Sequence, residues 1–113
     1  MTRFPKTNEE WLAAVPVARV EHHVREDGGI TLLRPKFMSP RLQWLQRMLR
    51  RPHFRVKLDE VGSCLWAHLD GTRNAAELSE TLRLAFGQRI EPAEDRTLSF
   101  LAQLAKGNFV ELG

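Results

Sequence analysis

The chain has 113 residues, a formal net charge of +3 and one cysteine, with 42% hydrophobic and 27% charged residues. That length suits one compact domain, and the composition is that of a folded chain rather than a disordered one. A single cysteine, Cys64, excludes an intrachain disulfide and any multi-cysteine metal site, which favours a reducing compartment.

In chain order, Thr7 and Glu10 form a capping pair for a short helix over 8–14, which Pro16 stops. Two extended runs, near 18–25 and 29–34, flank Asp27-Gly28-Gly29 and read as a hairpin. Ser39-Pro40 opens a basic amphipathic helix over 39–51, with Leu42, Leu45, Met48 and Leu49 at helical spacing before Pro52. Phe54, Val56 and Leu58 then alternate with Arg55 and Lys57, the period-two pattern of a third, half-buried strand over 54–58.

From Asp59 onward the pattern is helical. Asp59 caps a helix ending at Asp70-Gly71, Asn74 and Glu77 form a capping box for a second ending at Gly87, and a third runs from near Pro92 to Gly107. NFVEL suggests a short closing strand. The predicted fold is therefore α+β and winged-helix-like: a small antiparallel three-stranded sheet followed by three helices. An N-terminal helix and a basic inserted helix are added to it. One domain over 1–113 is expected, with a core at 18–113 and an extension at 1–17.

Charge is unevenly spread. Residues 34–58 carry eight Lys/Arg and no acid, whereas 59–113 carry nine acids against five bases. Such a segment favours association with an acidic partner, although a basic helix face can also simply be solvated. No apolar run approaches the ~18 residues of a membrane span, and acids and prolines interrupt the N-terminus. No export signal is expected, and the expected location is the cytosol. Surface association with anionic lipid through the 40–50 helix, with Trp44 as an anchor, ranks lower.

Catalytic patterns are poor. His22 and His23, adjacent on a strand, point to opposite faces, His53 and His68 are isolated, and Gly28-Gly29 lacks phosphate-loop spacing. Cys64 reads as a small core residue, and the capping roles of Asp59, Asp70 and Glu77 account for them. No enzyme, cofactor or metal is expected.

The stretch FRVKLDEVGSCLWAHLDGTRNAAELSETLRLAFG, followed by EPAEDRTLSFLAQLAKGNFVEL, resembles the PqqD family. The resemblance is carried by Leu58-Asp59, Gly62, Trp66, Asp70-Gly71, Glu77-Leu78, Phe86-Gly87, Phe100-Leu101, Leu104 and Gly107. It is good over 54–113 and looser over 18–53, and the helices around Trp11 and over 39–51 are additions to the minimal module. The resemblance implies a winged-helix-like RiPP recognition element. Such a module binds the leader of a ribosomally made precursor peptide and presents it to a modifying enzyme, commonly of the radical-SAM class. It also implies that the leader adds as a strand beside the third strand, in the groove between that strand and the third helix. On this chain the implied peptide-binding residues are Phe54, Arg55, Val56, Lys57, Leu58, Leu98, Leu101, Leu104 and Ala105.

Two features bear on that groove. On the last helix Leu98, Leu101, Ala102 and Ala105 form one apolar stripe, and Phe100 and Leu104 form a second roughly a third of a turn away. One stripe can wall a groove, or the terminal strand and the N-terminal helix can cover both. A proline at Val56 is expected to abolish strand addition if that N–H faces the open edge. Homodimer formation through the same edge is a further possibility. The alternative function is a winged-helix regulator binding nucleic acid, although Glu91, Glu94 and Asp95 would repel phosphates at the start of the recognition helix.

Overall fold

The computed structural model describes residues 4–35 and 53–112. The predicted basic helix over 39–51 lies outside the described residues. The elements are α1 (Asn8–Ala13), β1 (Pro16–Ala18), β2 (Glu21–Val24), β3 (Ile30–Pro35), β4 (His53–Lys57), α2 (Glu60–Ala67), α3 (Ala75–Phe86), a 3-10 turn (Gly87–Ile90), α4 (Ala93–Lys106) and β5 (Val110–Leu112). The fold is α+β, with a small antiparallel sheet ordered β2-β3-β4 and a separate antiparallel pair, β1-β5.

Local chemistry sets the helix starts. The Asp59 carboxylate accepts from Gly62 N at 2.7 Å and starts α2. At α3 the box is reciprocal, with Glu77 N donating to Asn74 Oδ1 at 2.8 Å and Asn74 N to Glu77 Oε1 at 3.0 Å. At α1 Thr7 Oγ1 accepts from Glu10 N, but the Glu10 carboxylate takes its proton donor from Lys6 N instead of Thr7 N. Gly87, at φ +63°, ends α3 in a conformation that suits glycine. Gly28, at φ +87°, does the same for the β2-β3 turn.

The expected single strand over 18–25 is two strands. β1 pairs with β5 in the register Pro16↔Leu112, Val17↔Glu111 and Ala18↔Val110, and Arg19 N donates to Phe109 O at 2.9 Å. The chain then turns at Arg19-Val20 and β2 pairs with β3. Both halves are extended, so periodicity alone does not reveal the change of partner. The leading segment is tied to the rest: Pro16 is fully buried, and Ala14 O accepts from Ala75 N at 3.0 Å.

One apolar cluster joins the sheet to the helices. Ile30, Leu32 and Leu58 meet Leu65 and Trp66 of α2, Leu78 and Leu82 of α3, and Leu101, Leu104 and Ala105 of α4. Where β3, β4 and α2 converge, Ser63 Oγ accepts from the buried Ile30 N at 2.9 Å and lies 3.4 Å from Leu58 O. Ser63→Ala leaves that buried amide without a partner and should lower unfolding free energy by roughly 1–3 kcal/mol. Urea denaturation, with the slope unchanged, measures it.

Candidate functional site

The exposed feature nearest the predicted site is the free side of β4. β3 covers one side of β4, and among the described residues no strand covers the other. The register is Thr31↔Lys57, Leu32↔Val56, Leu33↔Arg55, Arg34↔Phe54 and Pro35↔His53. Leu58 N donates to Ile30 O at 2.9 Å, and these residues lie directly opposite in the same register. In an antiparallel ladder bonded and non-bonded pairs alternate, so Val56 and Phe54 also turn their backbone groups to β3, while Arg55 and Lys57 turn theirs to the open edge. The β2-β3 ladder agrees: Arg25 N donates to the opposing Gly29 O at 2.7 Å, which turns Thr31 and Leu33 to β2 and leaves Leu32 and Arg34 for β4. The premise of the Val56→Pro test therefore does not hold, because the Val56 N–H faces β3.

Side chains divide the same way. Arg55 and Lys57 are exposed, Val56 is half-buried and Leu58 is buried. On α4, Leu101, Leu104 and Ala105 are 0%, 5% and 2% exposed and lie in the core, while Leu98 and Ala102 keep part of their surface. The inward face of α4 runs through Ala93, Thr97, Leu101, Leu104 and Ala105. Phe100 lies against α2, where a methyl on Gly62 would meet its Cζ at 2.8 Å. The sheet meets the link between α4 and β5 at one end, where the Arg34 guanidinium stands 5.8 Å over the Phe109 ring. Arg34 is the cross-strand neighbour of Phe54, and Phe109 N bonds back to Leu104 O. Among the described residues β2 forms a second open edge, with Glu21, His22, His23 and Val24 all exposed.

Arg25 escaped the sequence reading. Its guanidinium donates to Ile30 O at 2.6 Å, Thr31 Oγ1 at 3.1 Å and Leu58 O at 2.9 Å, and its Nε lies 3.3 Å from Asp27 Oδ1. It clamps the end of β4 to the start of β3. The Gly29 N–H, followed by Arg25 and then Lys57, holds the Asp27 carboxyl below its ordinary value. Nothing in the sequence but the Arg25-x-Asp27 spacing beside the turn hints at this.

Burial, helped by Glu60, pushes the Cys64 thiol up, which disfavours the thiolate a nucleophile needs. His68 Nδ1 lies 2.8 Å from Cys64 O, within its own helix turn. Among the described residues no group of three or more His, Cys, Asp or Glu side chains is placed to hold a metal ion. Among them, too, no helix is long and apolar enough to cross a membrane.

The family model described as coenzyme PQQ synthesis protein D (PqqD) matches residues 50–110. The chain belongs to the PqqD family. No curated protein and no solved structure is significantly similar to it. The PqqD match takes in β4, all three helices of the core and the start of β5. The open strand and the helix that shares its core are thus both within the PqqD region.

The ladder geometry predicts alternating protection along β4. In native-state hydrogen exchange the amides of Val56 and Leu58 should exchange slowly and those of Arg55 and Lys57 fast. Correspondingly, Arg55→Pro should fold, whereas Val56→Pro should lose roughly 1–3 kcal/mol by leaving a sheet carbonyl unpaired, measured by chemical denaturation.

Proposed function

We propose that this PqqD-family protein binds the leader segment of a ribosomally made precursor peptide by strand addition at β4. It then presents the peptide to a separate modifying enzyme of the radical-SAM class. In this reading residues 1–113 act as one winged-helix-like domain, without turnover or cofactor of its own. The observation that carries the reading is the β4 edge, open among the described residues, inside the PqqD-matched region. Strand addition requires main-chain donors and acceptors facing outward and a surface for alternate side chains. In this reading Arg55 and Lys57 supply the first, and the half-buried Val56 and the partly exposed Leu98 of α4 are the apolar residues assigned to the second. Phe54 and Leu58 flank the contact, while the buried Leu101, Leu104 and Ala105 hold Leu98 and its helix in position.

Duplex binding through α4 is disfavoured, because its first turn carries Glu94 and Asp95, both exposed. The test is a titration of the protein with a short peptide encoded beside its gene, followed by backbone amide shifts. Arg55, Lys57 and Leu98 should respond together. A peptide that is bound without shifting these residues, or binding to duplex DNA with a steep salt dependence, would overturn the proposal.

A further inference from the structure

Resting on that strand-addition reading, we propose that Arg55 and Lys57 select the added strand by charge, taking a segment with acidic side chains at two alternate positions and an apolar residue between them.

Among the side chains of β4 that the structure describes, Arg55 and Lys57 are exposed on one face of the sheet, and their backbone groups reach the open edge. An added antiparallel strand that bonds to these groups places a residue directly opposite each, with Cα atoms about 5.5 Å apart and side chains on the same face. At that spacing opposite charges attract and like charges repel. If the added strand runs parallel, alternate residues still share that face.

The cations are available for this role. Their cross-strand neighbours on β3, Leu33 and Thr31, are uncharged, and among the described residues neither cation forms an ion pair. The nearby carboxylate of Asp27 feels Lys57, but it is engaged by Gly29 N and Arg25. The intervening residue of the added strand falls opposite Val56, on the face that carries Leu32 and Leu58 and packs on the core. An apolar side chain there lies beside Val56, which is itself only half-buried. The occupant is thus an extended acid–apolar–acid segment.

Three glycine- and serine-flanked peptides with the core Val-X-Leu-X-Val, where X is Glu, Gln or Lys, test this with the full chain. Dissociation constants at low salt and the amide shifts of residues 55 and 57 are the readouts. The Glu peptide should bind roughly tenfold more tightly than the Lys peptide, with Gln between them. The double variant Arg55→Glu, Lys57→Glu changes only exposed side chains and should reverse the order. Equal affinities with the two edge amides still shifting would sink the charge selection and leave strand addition standing. No edge shift with any peptide would sink strand addition and the selection with it. A Glu preference that survives in the double variant would show that other cations read the acids, and it too would overturn the inference.

Discussion

The candidate site depends on the junction at the end of β4, where two segments distant in sequence, 25–30 and 58–63, satisfy one another's buried polar groups. Ser63 of α2 takes the Ile30 N–H, Ile30 O takes the Leu58 N–H, and Arg25 closes over both Ile30 O and Leu58 O. A buried amide or carbonyl without a partner is costly, so each of these bonds constrains the others. Asp59 adds the turn into α2 one residue later by capping Gly62 N. With Leu58 fixed in the ladder, the orientation of every residue back to His53 follows by alternation. The outward direction of Arg55 and Lys57 is therefore set at a point they do not touch.

Much of the fold was legible because helix starts are local events. The side chains of Asp59 and Asn74, read from spacing alone, cap the helices they were expected to cap. The hairpin turn needed only Asp27-Gly28-Gly29, and the alternation over 54–58 marked the third strand although residues 36–52 separate it from the second. The split of the first strand was not legible. An extended backbone looks the same whether it pairs with β5 or β3, and the choice lies in contacts almost a whole chain length away.

The site was legible in outline and not in detail. Alternation across 54–58 tells which side chains turn inward, but not which amides are already bonded, because that depends on register with β3. Hence Val56, which looks central, offers no donor to the edge. Helical spacing on α4 likewise gave two apolar stripes without saying what covers them. The structure buries Leu101, Leu104 and Ala105, sets Phe100 on Gly62 and leaves only part of Leu98 and Ala102 exposed. Arg25 carried little pattern beyond its spacing from Asp27, since the oxygens through which it joins β3 to the end of β4 are the main-chain ones of Ile30 and Leu58, which any residue would have.

An open edge strand invites pairing with any other edge, including that of an identical chain, and charged side chains are a common protection. On β4 the residues whose backbone groups turn to the edge, unpaired among the described residues, are His53, Arg55 and Lys57, so two copies pairing antiparallel match members of this set. Centring the pair on Arg55 sets Arg55 against Arg55. Sliding by one bonded step sets Arg55 against Lys57, or Lys57 against itself in the next register. Each of these alignments brings like charges together across the ladder, whereas sliding the other way sets Arg55 against His53, so the cations oppose only the registers that pair them with each other or with themselves. On the proposed reading, the two cations that would favour an acidic strand thus also disfavour a second copy in those registers.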